Sequence, residues 1–225
     1  MKNILAIDTA TKLLGVTIQV GIKKYNNQIN EGFTHSENLL PMISDLLLKA
    51  GISISDLDLL VCTRGPGSFT GLRIGMSTLK GISLGAGIPL VTVPTLDLYA
   101  YSKSKFIGVV LPIIDARKRS FYTAIFRNGI RESDNLDINS DEISLLMENE
   151  EKILLTGIDA NILYEKLNDN SKFDIDSEYE RSYSEELTTL GLEYYNKYGS
   201  DALGQGPVYI RKSEAELMLQ KKRSE

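Results

Sequence analysis

The sequence predicts an α/β protein built from two related halves, and three observations carry that expectation. First, an apolar strand runs into an aspartate twice: Asn3 to Asp8, and again Gly108 to Asp115. Second, each aspartate is followed by a polar turn, an alternating strand and a glycine turn. Gly21 falls thirteen residues past Asp8 and Gly129 fourteen past Asp115. Such internal similarity points to duplicated architecture. Third, the apolar run Leu57 to Thr63 leads through the glycine-rich stretch Arg64 to Gly75 into a helix-like segment ending near Ala86, the strand–loop–helix order of an α/β unit.

The remaining elements follow in order. Val16, Ile18 and Val20 share one face of a period-two strand. Lys24 to Thr34 is polar and suits an edge strand. Ser36 to Ala50 places Leu39, Leu40, Ile43, Leu46 and Leu47 at helical spacing, with Ser36 as cap and Gly51 as the stop. Leu90 to Val93 is a short strand closed by Pro94, and Thr95 to Ser102 a helix leading into the second half. After the second hairpin come a helix near Asp141 to Glu148, a strand Lys152 to Thr156 and a helix near Ala160 to Leu167. Asn168 to Glu180 reads as loop, Ser184 to Tyr198 as a helix, and Val208 to Arg211 as a returning strand. The division expected is a lobe over 1–102 and a smaller one over 103–225.

The glycine loop sits where a strand meets a helix amide end, a natural anion cradle. It lacks the Gly-Lys-Ser/Thr ending of a P-loop, and it is neither a G-x-G-x-x-G fingerprint nor a G-x-S-x-G elbow. Its glycines need another reason. Gly71/Gly75 and Gly81/Gly85 are each spaced by four, and each interior helical glycine costs about 1 kcal/mol relative to alanine. Close backbone approach justifies that cost. Either the helix packs tightly on its own sheet, or it docks on another protein. The docking reading names Leu39, Leu40, Ile43 and Leu47 on the first helix, with Leu72, Gly75, Met76 and Leu79 on the second. It expects Met76→Arg or Leu79→Glu to break association without unfolding the chain.

Composition narrows the chemistry. The chain has 225 residues, a net charge of −5, one histidine and one cysteine. An acidic chain is a poor nucleic-acid binder by itself; the basic run Lys221-Lys222-Arg223 reads as solvated tail. His35 alone excludes a His-x-x-x-His zinc site, and no nucleophile motif accompanies it for a triad. Cys62 alone excludes an internal disulfide. No apolar run approaches the roughly 20 residues of a membrane span. No metal site and no membrane association are expected, and the cytoplasm is the expected compartment.

Five segments together resemble the TsaB (YeaZ) family. They are Ile7 to Thr11, His35 to Pro41, Arg64 to Gly75, Asp115 to Arg119, and Pro207 to Arg211. They are ordered and span nearly the whole chain. Gly65 to Arg73 is the specific one; the others are weak alone. The resemblance implies an actin/Hsp70/sugar-kinase-like (ASKHA) fold with two ribonuclease-H-like lobes, in agreement with the duplication. It implies a noncatalytic subunit in making threonylcarbamoyladenosine at position 37 of ANN-decoding tRNAs. Its partners would be a TsaD-like catalytic subunit and a TsaE-like ATPase, with a homodimer as a further form. The subunit would need no cofactor, ATP and Mg being used by the complex, and would meet tRNA only through it. TsaD-type proteins carry a metal-binding His pair on a helix, which this chain lacks.

Individual residues have two readings each. Asp8, Thr9 and Thr11 stand where this fold class meets phosphate and magnesium, so Asp8 either orders metal-bound water or survives as a fold feature satisfying nearby amides. The second is favoured, which makes the three a vestigial nucleotide site; Asp115 has a weaker claim. His35 is expected to be structural. Arg64 and Arg73 grip an anion or an acidic partner, or pair with a local carboxylate. Tyr209 and Arg211 are expected to order the C-terminal strand. No catalytic residue is assigned. The rival function is a self-sufficient ATP-dependent phosphotransferase or ATPase of the same fold class.

Overall fold

A computed structural model describes residues 2–30 and 34–211. Lys221-Lys222-Arg223 and the end of the expected edge strand lie partly or wholly outside them.

The first half forms one five-stranded sheet. β1 (Ile4–Asp8), β2 (Leu14–Val20) and β3 (Lys23–Ile29) make an antiparallel meander; β4 (Leu59–Thr63) and β5 (Leu90–Val93) add parallel strands beside β1, giving the order β3-β2-β1-β4-β5. β1 and β4, apolar up to a terminal Asp8 and Thr63, are buried along their whole length, as central strands require. α1 (His35–Ala50) and α2 (Phe69–Ala86) cover one face, burying Leu39, Ile43, Leu46, Met76 and Leu79 against Leu5, Ile7, Val16 and Leu60. Thr34, not Ser36, stands at the α1 N-cap, and Asn38 Nδ2 donates back to its carbonyl and hydroxyl oxygens. α3 (Thr95–Tyr101) follows on the other face.

The second half repeats the plan. β6 (Val109–Pro112), β7 (Ile114–Asp115), β8 (Ser120–Thr123), β9 (Phe126–Arg127) and β10 (Ile130–Arg131) form its hairpins. β11 (Leu136–Asn139) pairs with β8, and α4 (Ser140–Leu146) follows. β12 (Ile153–Thr156) lies parallel to β6, and beyond α5 (Ala160–Tyr164), β13 (Phe173–Ile175) lies parallel to β12. Antiparallel hairpin, then two parallel neighbours, is the pairing of both sheets. The duplication therefore holds in topology, and the fold is the actin/Hsp70/sugar-kinase-like arrangement of two ribonuclease-H-like lobes.

Three expectations need correction. β13 lies inside the stretch read as loop; at three residues with an exposed aspartate, it has too short a pattern to declare itself. Val208 to Arg211 is an extended strap, not a strand. The division at 102/103 does not follow the packing either. α6 (Ser184–Tyr198) returns to the first sheet, where Leu187 and Leu190 pack with Ile4, Ala6 and Val61. A Cβ on Gly191 would stand 2.4 Å from Val61 Cγ1, so α6 lies directly on β4. The first lobe thus includes α6, and the second is the intervening chain. Tyr99 and Tyr183, with rings 4.5 Å apart, join the two in one continuous core.

Candidate functional site

The two repeated hairpins face each other across a cleft of about 420 Å³, lined by Lys12 and Phe69 from the first lobe and by Asp115, Arg117, Tyr122 and Asp159 from the second. Both aspartates of the repeat end their strands in the same way. Asp8 Oδ1 accepts the Ala10 N–H at 3.0 Å, and Asp115 Oδ1 accepts the Arg117 N–H at 2.8 Å. The short side chain satisfies its own turn two residues on, which is why aspartate suits this place.

Their surroundings then diverge. Asp8 is buried beneath the cleft, where Oδ1 also accepts from Thr63 Oγ1 at 3.0 Å and Oδ2 faces the Tyr99 hydroxyl at 3.4 Å. Burial pushes its carboxyl above the ordinary 3.8, against the opposing pull of these hydrogen bonds and of His35. Burial likewise drives the Tyr99 phenol well above 10. Asp115 stays half-buried on the cleft wall, and its N–H donates to Asp159 Oδ2 at 2.9 Å. Asp159 is itself raised by burial.

Thr9 and Thr11 are buried too. Thr9 Oγ1 has no hydrogen-bond partner among the described residues and lies under α2: a Cβ on Gly75 would sit 2.3 Å from it, and one on Gly71 would sit 2.1 Å from the Thr9 carbonyl oxygen. A Cβ on Gly67 would come within 2.3 Å of the Ala10 carbonyl oxygen, which accepts the Ser68 N–H. The glycines Gly67, Gly71 and Gly75 thus let the start of α2 press onto the β1–β2 loop. Thr11 is held from the other side, its carbonyl 2.8 Å from His35 Nε2. His35 is structural, tying α1 to that loop. Cys62 is buried with its thiol pushed up to about 12, so it offers no thiolate.

The residues expected to meet a partner sit elsewhere than expected. Leu39, Ile43, Leu47, Leu72, Gly75, Met76 and Leu79 are buried within the chain's own core. The apolar spacing that singled them out marks the inward faces of α1 and α2. Met76→Arg or Leu79→Glu would therefore bury a charge and unfold the chain, contrary to the expectation. Leu40 alone of the set is exposed, at 58%, and Leu48 at 82% and Leu84 at 68% join it on the outer sides of these helices.

Arg64 and Arg73 take no carboxylate partner among the described residues. Arg73 lies over the Phe69 ring, 3.9 Å from its centroid, and its Nε donates to the Tyr209 hydroxyl at 2.8 Å. Tyr209 stacks on Phe69 at 4.4 Å. The Val208 N–H donates to the Arg64 carbonyl, and Arg211 reaches the second lobe, pairing with Asp137 and donating from Nη1 to the Ala116 carbonyl at 2.8 Å. Tyr209 and Arg211 thus fasten a strap across both lobes. Among the described residues no group of three or more His, Cys, Asp or Glu could hold a metal ion.

Sequence reasoning missed one feature of the cleft rim. Arg117, Lys118 and Arg119 take φ values of 61, 52 and 64° in succession. Left-handed backbone costs about 1 kcal/mol or more for each such side chain. No glycine or asparagine marks this turn, whereas Asn128-Gly129 announces the β9–β10 turn openly.

Comparison with known proteins agrees with this architecture. A family model described as TsaD, tRNA N6-adenosine threonylcarbamoyltransferase, matches residues 32–171. The tRNA threonylcarbamoyladenosine biosynthesis protein TsaB of Bacillus subtilis is 31% identical over 225 residues, spanning 95% of this chain and 96% of that protein. The chain belongs to the TsaB (YeaZ) family. TsaB of Escherichia coli is 39% identical over 138 residues, 57% of this chain and 58% of the relative. The solved structure of YeaZ from Pseudomonas aeruginosa superposes with a TM-score of 0.78 at 23% identity, covering 93% of this chain and all of that one. The family is thus one of tRNA threonylcarbamoyladenosine biosynthesis, and its fold is this one. No helix of the described residues is long and apolar enough to cross a membrane.

Proposed function

We propose that this chain is a noncatalytic assembly subunit in threonylcarbamoylation of adenosine 37 of ANN-decoding tRNAs. It works in the cytoplasm with a TsaD-like transferase and a TsaE-like ATPase. The observation that carries the reading is the fate of Asp8. In a phosphoryl-transfer site that carboxylate would be open to the cleft, free to order a metal-bound water. Here it is buried, and its oxygens are occupied by the Ala10 N–H and the Thr63 and Tyr99 hydroxyls. The loop that would cradle phosphate is filled by α2 through Gly71 and Gly75. Asp8, Thr9 and Thr11 hold the fold together; ATP and magnesium serve the partners. The names of the chain's relatives supply the pathway, and the single histidine supports a subunit other than the transferase.

The partner face is the outer side of α1 and α2, with Leu40, Leu48 and Leu84 as its apolar contacts. Exposed large apolar side chains so placed suit a sister molecule presenting the same two helices, either the transferase or a second copy. The interlobe cleft favours the rival reading, an ATPase acting alone. An ATP-hydrolysis assay on the purified chain, with and without its two partners, separates the two. Negligible turnover alone, with activity in the assembled complex, is the expected result. Turnover by the lone chain that Asp8→Asn abolishes would establish the rival.

A further inference from the structure

The chain is acidic overall, yet one turn carries three consecutive cations. Arg117, Lys118 and Arg119 are all exposed at the β7–β8 turn on the rim of the cleft. Among the described residues none of them forms an ion pair, whereas Arg127, Arg131, Arg181 and Arg211 each hold a carboxylate. Lys12, exposed on the facing hairpin, lines the same cleft as Arg117 and is likewise without an ion pair.

This turn is not slack. Asp115 Oδ1 accepts the Arg117 N–H, the Ser120 N–H donates to the Arg117 carbonyl, and the Ala116 N–H donates to the Ser120 carbonyl. The strap adds Arg211 Nη1 to the Ala116 carbonyl. A backbone held in a sparsely populated conformation by surrounding bonds, at the tip of a hairpin, is where function concentrates. The tip's three side chains are long and charged; Arg117, with Lys12, acts at a distance on the Asp159 carboxyl across the cleft, and among the described residues none of the three is held in an ion pair.

We propose that the Arg117-Lys118-Arg119 tip is a contact for the phosphodiester backbone of RNA, made when the chain stands in its assembled complex. The inference rests on the proposed role in tRNA modification. RNA fits better than an acidic protein segment because its charges recur along the whole strand. Each of three adjacent cations then finds a phosphate without carboxylates placed to match. The cleft itself is not the site: Asp115 and Asp159 line its wall and repel phosphate, which confines the polyanion to the tip and to Lys12 at the mouth.

The test is fluorescence anisotropy of an ANN-decoding tRNA transcript with the reconstituted complex, over a series of salt concentrations. The variant is Arg117→Asn/Lys118→Asn/Arg119→Asn, because asparagine tolerates left-handed backbone. Lys23→Asn/Lys24→Asn/Lys105→Asn, three exposed positions away from the tip, removes the same three charges and controls for net charge. The tip variant should bind about tenfold more weakly, with a log–log salt slope shallower by roughly 2 to 3, about one for each lost phosphate contact. The control should match wild type. Circular dichroism and complex mass should be unchanged, and the corresponding triple glycine variant, which suits any φ, serves if asparagine disturbs the turn. Wild-type affinity and slope in a folded, assembled variant would overturn the proposal. So would loss of assembly with an unchanged salt slope, which would give the tip to a protein partner. Leaving the chain out of a modification assay tests the assembly role separately. Unimpaired modification there would remove that role, while the anisotropy result would still decide the tip.

Discussion

The two glycine pairs of α2 share a spacing and nothing else. Gly71 and Gly75 are buried, and any side chain there would run into Thr9 at 2.1 and 2.3 Å. Gly81 and Gly85, farther along the same helix, are exposed, with nothing within 4 Å of where a Cβ would stand. The first pair lets the helix close over the β1–β2 loop. Among the described residues the second pair has no contact that needs it, and it lies on the helix that exposes Leu84. A small-residue spacing in a sequence reports that something approaches closely; it does not report whether that something belongs to the same chain.

The contrast can be broken or sharpened by substitution. The largest effect belongs to the inward face. Leu79→Glu places a charge at a fully buried position without a partner, and should abolish cooperative folding as followed by circular dichroism on heating. A native-like melt would contradict the burial. Gly71→Ala comes next. Its Cβ meets backbone, which cannot swing aside, so urea denaturation should show a loss of about 2 kcal/mol despite the better helix former.

Asp8→Asn gives a smaller, pH-dependent effect. Because the folded carboxyl titrates above 3.8, the folded state holds that proton more tightly than the unfolded chain. Wild type therefore loses stability as pH rises from 3.8 through the folded value, and asparagine does not. The variant should gain on wild type across that window and hold its gain to neutrality, with no gain below 3.8. A constant difference in chemical denaturation across the window would refute the burial account of Asp8. Smallest is Gly81→Ala, which fills open space and should stabilise the isolated chain by about 0.5–1 kcal/mol. A destabilisation there would mean that the second pair is also packed from within.

How much of this was legible follows from the same physics. Strands β1, β4 and β5 and helices α1, α2 and α6 carry apolar or periodic patterns, and the repeat of Asp8 and Asp115 carries the two-lobe plan in the sequence itself. β13 was too short to show a pattern, and α6 could not reveal which sheet it would join, because its apolar stripe suits either. Seven of the eight residues named for a partner face are buried in the chain's own core, and for a physical reason. Periodicity identifies the buried side of an amphipathic helix, and the exposed Leu40, Leu48 and Leu84 interrupt that pattern instead of composing one. The Arg117-Lys118-Arg119 turn was invisible because its left-handed backbone carries none of the residues that normally advertise it.

The most direct test of an assembling, noncatalytic chain is threonylcarbamoylation of an ANN-decoding tRNA by the reconstituted system, comparing no chain, wild type and Asp8→Asn. Product should depend on the chain and be restored as well by Asp8→Asn as by wild type. A folded, complex-forming Asp8→Asn chain that yields no product would make Asp8 part of the reaction and contradict the account.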